Sequence, residues 1–362
     1  MTSNFHQVTT DVCAFIRAED PSEERFNQLA LRLCSYQFQH NLAWRRLCEA
    51  RDWTPGNVDD WRQIQAAPAS AFKELELTTL PPEQRAAVFH SSGTAAQSPS
   101  RHFHNLESLA VYEASLLAWS EPHLKLRDGS LPQLLFLTPP PARAPRSSLV
   151  HMFETIRHAH PDGGGRFFGG VDANGNWTIC RGELDQALGG SRPVALFGAA
   201  FQFVHLLDSP AATALHIDLP SGSRVLETGG YKGRSRSLTQ DQLHTLIAKR
   251  LGVRRDHIVC EYGMSELSSQ AYDTAIGLSR PTHHAPRLFR FPPWTRLQIV
   301  SPETGREVAD GETGLIRVYD LANVASVLAV QTEDLAIRRG DGFEFVGRAA
   351  GAEPRGCSLT TA

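Results

Sequence analysis

The chain has 362 residues, 41% of them hydrophobic and 21% charged, with a formal net charge of −3 at pH 7. That length can bury a large core and suggests about two structural units. The mild acidity excludes a basic nucleic-acid footprint, and no apolar run approaches the roughly 20 residues of a membrane-spanning helix. The opening residues, Met1 to His6, lack the basic and apolar regions of a secretory signal. Six cysteines (Cys13, Cys34, Cys48, Cys180, Cys260 and Cys357) are scattered without a Cys-x-x-Cys pair. A disulfide framework or zinc ribbon is therefore not expected, and reduced thiols in the cytoplasm are.

In chain order, residues 22–50 read as helical, because Phe26, Leu29, Leu33, Leu42 and Leu47 recur at helical spacing. A second helix is predicted over 105–119, and Leu134 to Thr138 as a short buried strand. The Pro-rich break 139–145 follows, with a helix starting near Ser147. Residues 193–197 and 224–228 are predicted as buried strands. Thr239 to Leu251 is the clearest helix, with Thr239 and Gln242 as a capping box. His257 to Cys260 is a further strand. Strands alternating with helices predict an α/β fold with a parallel sheet covered on both faces. From about Phe291 the character changes. Alternating apolar runs (297–300, 315–318, 335–337, 343–345) surround the hairpin turn Gly340-Asp341-Gly342. The expected division is an α/β core over 1–292, with a helical N-terminal segment, and a smaller β-rich unit over 293–362.

Four segments carry candidate chemistry. Ser91-Ser92-Gly93-Thr94 follows a strand end at Val88-Phe89, and a small hydroxyl-rich loop around a glycine lets backbone N–H groups approach an anion. By itself such a cluster is also an ordinary turn. Glu261-Tyr262-Gly263-Met264-Ser265-Glu266 follows a strand, where an aromatic ring and a glycine can seat a purine and a carboxylate three residues on can hold Mg²⁺. The alternative is a strand-end turn with a solvated glutamate. Gln331-Thr332-Glu333-Asp334 offers a carboxylate for ribose hydroxyls, or is an acidic loop. Gly347-Arg348 could reach ribose or phosphate.

In this order the segments resemble the adenylate-forming superfamily of acyl-activating enzymes. The resemblance is closer to the branch of the bacterial-bioluminescence acyl-protein synthetase and phenylacetate–CoA ligase. Three stretches carry that closer match: Ala71-Phe72-Lys73-Glu74, Gly229-Gly230-Tyr231-Lys232-Gly233-Arg234-Ser235 and Arg355-Gly356-Cys357-Ser358-Leu359. The resemblance implies ATP and Mg²⁺ as cofactors, with Ser91, Ser92, Gly93 and Thr94 on the β/γ-phosphates. Tyr262 and Gly263 would border adenine, Ser265 would contact the α-phosphate or acyl carboxylate, and Glu266 would ligate Mg²⁺. Asp334 and Arg348 would bind ribose. Gly198, Phe201, Gly229, Gly230 and Tyr231 would wall the pocket for a carboxylic acid, fatty or aromatic, with Phe197 and Phe203 as further candidates.

Three departures stand out. The phosphate loop continues Ala95-Ala96-Gln97 where the family has Thr-Gly and a basic residue, so Arg101 is a candidate for the missing charge. Ser265 replaces the superfamily threonine. The sequence ends soon after Gly347-Arg348, so the lid domain and its lysine are expected to be absent, with Lys232 or Arg234 as candidate substitute. The resemblance then assigns Cys357 as the thiol that takes the acyl group from acyl-AMP and presents it to a partner, an acyl-accepting reductase or carrier protein. Two alternatives remain at this point. One is adenylation with transfer to CoA, a carrier or an amine; the other is a non-catalytic nucleotide-binding scaffold subunit. Of the 15 histidines, the groups His151/His158/His160 and His283/His284 lack a completing ligand set and are read as structural or solvated.

Overall fold

The computed structural model describes residues 4–18, 22–91, 98–128, 131–208, 217–231, 235–278 and 287–349. Its strands and helices alternate as expected. Strands β1 (Ala67–Pro68), β2 (Ala87–His90), β3 (Arg101–His104), β4 (Gln133–Phe136), β5 (Arg166–Phe167), β6 (Gly169–Val171), β7 (Trp177–Ile179), β8 (Val194–Ala199), β9 (Arg224–Thr228), β10 (Ile258–Tyr262) and β11 (Ala271–Tyr272) precede the C-terminal set. That set is β12 (Leu288–Phe289), β13 (Thr295–Val300), β14 (Thr313–Asp320), β15 (Ala329–Arg339) and β16 (Gly342–Arg348). The helices are α1 (Phe5–Ile16), α2 (Glu23–His40), α3 (Leu42–Glu49), α4 (Ala71–Glu74), α5 (Leu106–Leu124), α6 (Ser148–Ala159), α7 (Arg181–Leu188), α8 (Ala200–Asp208) and α9 (Gln240–Leu251).

One sheet runs β11-β10-β9-β8-β4-β5, parallel except for β11. Every residue of β8, β9 and β10 is buried, as a parallel sheet covered on both faces requires. Side-chain alternation then separates two cores. Leu135, Leu196, Val225 and Ile258 pack with Leu184, Phe203, Leu243 and Ile247 from α7, α8 and α9. Phe136, Phe197, Leu226 and Val259 pack with Tyr112, Leu116, Met152 and Phe153 from α5 and α6. The same alternation sends Glu227 to the α9 side and Thr228 to the other. Helix α9 carries the expected Thr239/Gln242 capping box, and α5 has a second one from Asn105 and Ser108.

The other large sheet runs β12-β16-β15-β14-β13, antiparallel throughout, with β1 added parallel to β15. Helices α1 to α3 share its core. Buried amides fasten them there: Gln37 accepts from Leu328 N at 2.7 Å and donates to Asn323 O at 2.7 Å, and Asn41 donates to Ser326 O at 3.2 Å. The helix expected over 22–50 is two helices. Asn41 leaves helical geometry (φ −104°, ψ 91°) and its side chain caps α3 by accepting from Trp44 N. Helix α5 runs past Trp119 to Leu124, with Pro122 inside it.

Candidate functional site at the strand ends

Gly229, Tyr262, Gly263 and Ser265 lie at the C-terminal ends of the parallel strands β9 and β10, the usual ligand edge of such sheets. Tyr262 is the last residue of β10, and its phenol donates to Asp334 Oδ2 on β15 at 2.8 Å. Phe289, Phe291, Phe343 and Phe345 surround the Tyr262 ring with centroids 5.4–6.2 Å away. Arg348 faces Asp334 across the β15–β16 ladder; its Nε lies 3.4 Å from Asp334 Oδ1, and its guanidinium also pairs with Glu333. One hydrogen bond and one ion pair thus join the Tyr262, Asp334 and Arg348 segments.

The loop after β10 is held from two directions. Buried Asp320 accepts from Ser268 N at 3.0 Å and from Ser269 N and Oγ at 2.8 Å each. Burial pushes its pKa up to about 6 despite these donors. Asn323 donates to the backbone carbonyl of buried Glu266 at 3.1 Å. On the other side, Ser265 Oγ donates to His90 O at 3.2 Å, and Ser265 O lies 2.9 Å from His102 Nδ1. His90 and His102 belong to the β2–β3 hairpin, whose connection begins at Ser91. Ser91 exchanges a 3.2 Å backbone bond with Ser100 and accepts from Ser100 N at 2.9 Å. Ser265 therefore stands next to the base of the Ser91 loop. Burial holds His102 down to about 4, so it is neutral at pH 7. Burial, then the positive charges of Arg146 and Arg101, lower His90. Arg101 itself pairs with Glu76 at 3.2 Å.

Beside Ser265 lies a narrow cavity, partly open to solvent. Tyr112 from α5, Ser148, Leu149 and Met152 from α6, and Ala199, Thr228 and Glu261 from the strand ends line it, with Gly229, Gly263, Met264, Ser265 and Gln270. Of the glycines and aromatics expected to wall an acyl pocket, Gly229 does so. Gly198 instead abuts Leu137 and Phe203. Phe201 packs near Trp177 and His205. Tyr231 belongs to the α9-side core with Phe203, and Phe197 is enclosed by Phe136 and Phe153. Gly230 is buried outside this lining. Ser92, Gly93, Thr94, Lys232, Arg234 and Cys357 lie outside the described residues, as do His283 and His284.

Residues to which the sequence assigned no role complete the site. Glu261 is buried in the cavity wall and accepts from Thr228 Oγ1; burial raises its pKa to about 7. One position earlier on both strands, Glu227 and Cys260 face α9, where His244 Nε2 lies 3.3 Å from Glu227 Oε2. The ligand atoms of Glu227, His244 and Cys260 fall within 4.8 Å of one another. The positive charge of Arg287, paired with Asp273, already acts on Glu227 and Cys260. This makes the cluster a buried hydrogen-bond network with its own cation nearby. Cys34 and Cys48, on α2 and α3, are buried, and desolvation raises both thiols, Cys48 to about 12, so neither is a ready nucleophile. His160 is buried against Glu121 at 3.3 Å, and exposed His158 sits 3.1 Å from Glu154. No helix among the described residues is long and apolar enough to cross a membrane.

No protein-family model matches the sequence, and no curated protein matches it. Solved structures do match. An open conformation of 2-hydroxyisobutyryl-CoA ligase with 2-HIB-AMP and CoA superposes with a TM-score of 0.64 at 13% identity, over 94% of this chain and 76% of that one. The same ligase in the thioesterification state, with 2-HIB-AMP and CoA, gives 0.63 at 13% identity, over 96% and 69%. In the postadenylation state with 2-HIB-AMP it gives 0.62 at 14% identity, over 89% of this chain. The chain spans 65% of the length of that last protein. The chain shares the fold of these 2-hydroxyisobutyryl-CoA ligase structures.

Proposed function

We propose that this protein activates a carboxylic acid with ATP and Mg²⁺ and passes the acyl group to a thiol. The observation that carries the reading is the meeting of segments at one sheet edge. Ser265 bonds the hairpin that bears Ser91, Tyr262 bonds Asp334, Asp334 faces Arg348, and a cavity adjoins Ser265. In this reading Ser91, Ser92, Gly93 and Thr94 hold the β/γ-phosphates, Tyr262 borders adenine, and Asp334 and Arg348 hold ribose. Buried Glu266, with its backbone clasped by Asn323, would offer a carboxylate oxygen to Mg²⁺, and the ion would neutralise phosphate charge. The substrate carboxylate lies in the cavity, oriented by Ser265.

The first step forms a bond between a carboxylate oxygen and the α-phosphorus and breaks the bond to pyrophosphate, giving acyl-AMP. Lys232 is the candidate cation for the charge that develops there. In the second step a thiolate attacks the acyl carbon and AMP leaves with the electron pair, the thiol proton having gone to solvent. Cys357 is the candidate thiol, and an acyl-accepting reductase or carrier protein the candidate recipient.

The test is acid-dependent exchange of labelled pyrophosphate into ATP by the full chain, across aliphatic and aromatic acids. Exchange with at least one acid is expected; none across the panel overturns the reading in favour of a nucleotide-binding scaffold. Labelled acid with ATP is then expected to leave a hydroxylamine-sensitive label on the protein. Full labelling of Cys357→Ser removes Cys357 from the scheme, and label appearing on added CoA instead reassigns the acceptor.

A further inference from the structure

The cavity beside Ser265 has an apolar lining on its helical side, from Leu149, Met152 and the Tyr112 ring, and a carboxylate in its sheet wall. Glu261 belongs to β10, where Val259 points into the same apolar core. An apolar residue at that position would extend the core, so a carboxylate here carries a desolvation penalty with only partial relief. Thr228 is the strand partner of Glu261, and its hydroxyl donates to Oε2. The other oxygen, Oε1, occupies space that only a glycine at 263 leaves open; a Cβ there would stand 2.2 Å from it. No lysine, arginine or histidine is among the described residues lining the cavity. Gln270, in the same wall, adds a second polar group.

We infer that Glu261 selects the acid: the cavity takes a small carboxylic acid whose far end carries a hydrogen-bond donor, a protonated amine or a hydroxyl, which Glu261 accepts. This rests on the adenylation reading and sharpens it, because a plain alkyl or aryl acid would bury the Glu261 carboxylate with one partner fewer. A site built to accept a hydrogen bond discriminates strongly against the analogue that lacks the donor, since its own buried group is then left unpaired. Burial keeps Glu261 near the boundary between its two protonation states at neutral pH, and an ammonium group opposite it favours the carboxylate.

The experiment measures pyrophosphate exchange with matched acids: hexanoate against 6-aminohexanoate, and benzoate against 4-hydroxybenzoate and 4-aminobenzoate. For the wild type, at least one donor-bearing acid is expected to exceed its parent by about tenfold or more in kcat/KM. In Glu261→Gln and Glu261→Leu, whose folding is followed by thermal melting, that ratio is expected to fall by about the same factor, and Glu261→Leu is expected to favour the parent acid. Equal or better use of the parent acids by the wild type overturns the inference, as does a ratio that neither variant changes, and in both cases the adenylation reading stands. Exchange with no acid overturns the adenylation reading and this inference with it.

Discussion

Tyr262 Oη donates a 2.8 Å hydrogen bond to Oδ2 of Asp334, linking the last residue of β10 to the middle of β15. Both side chains are buried. Tyr262→Phe keeps the ring among its four phenylalanine neighbours and removes only the donor. The expected cost is about 1.5–3 kcal/mol of stability by chemical denaturation, the range for a bond to a charged group. The KM for ATP is expected to rise while the preference among acids stays unchanged, because Tyr262 does not line the acid cavity. A change in acid preference with unaltered ATP dependence would contradict the proposed division of the site.

Gly263 is constrained by close approach. A Cβ added there meets Glu261 Oε1 at 2.2 Å and Gln270 Cγ at 3.5 Å. Gly263→Ala therefore displaces the Glu261 carboxylate and tightens the cavity. Expected outcomes are a rise in KM for the acid of about tenfold and a loss of about 1–3 kcal/mol of stability from overpacking. Steady-state kinetics and urea unfolding of one preparation check both.

Glu227 and Glu261 sit on opposite faces of the sheet, and burial raises their pKa values from 4.5 to about 8 and about 7. The folded chain then binds more protons than the unfolded chain between these limits, so stability falls as pH rises from 4.5 to about 8 for Glu227 and from 4.5 to about 7 for Glu261. Buried His102 acts in the opposite sense, costing stability as pH falls from 6.5 to about 4. Glu227→Gln is expected to match wild type near pH 5 and to exceed it by on the order of 2 kcal/mol near pH 8.5. Urea midpoints at the two pH values measure this; a difference independent of pH would contradict it.

Arg146 is the exposed cation to test at the phosphate end. Its backbone carbonyl accepts from His90 N at 2.8 Å, and its charge lowers the pKa of His90, the residue before Ser91. Arg101, the sequence-based candidate, engages Glu76. Arg146→Ala is expected to raise the KM for ATP by about three- to tenfold, with a stronger effect at low salt, as befits an exposed charge. Arg101→Ala is expected to do less.

Much of this architecture is legible in the residues. The capping box of α9, the apolar runs of β8 and β10, and the Gly340 turn with φ +57° each carry a local signal. Helix α8 does not: it continues the apolar run of β8 without a break, and periodicity cannot divide a buried strand from a buried helix. Strand β1 is two residues long and exists through its partner β15. Glu261 reads as a strand-end acid until the sheet fixes which face it takes, although a charge directly following Ile258-Val259-Cys260 was the available signal. Of the aromatics expected in the pocket, Phe203 and Tyr231 pack on the α9 side of the sheet, whereas Phe197, on the cavity's side, is enclosed by Phe136 and Phe153.

The most direct test is a crystal structure of the protein with a stable acyl-AMP mimic, an acyl sulfamoyl adenosine carrying a 6-aminohexanoyl group. The account expects the ribose hydroxyls on Asp334, the sulfamoyl group beside Ser265 and the acyl chain in the cavity with its amine toward Glu261. A mimic bound away from Tyr262, Ser265 and Asp334, or no binding at millimolar concentration in solution, would contradict it.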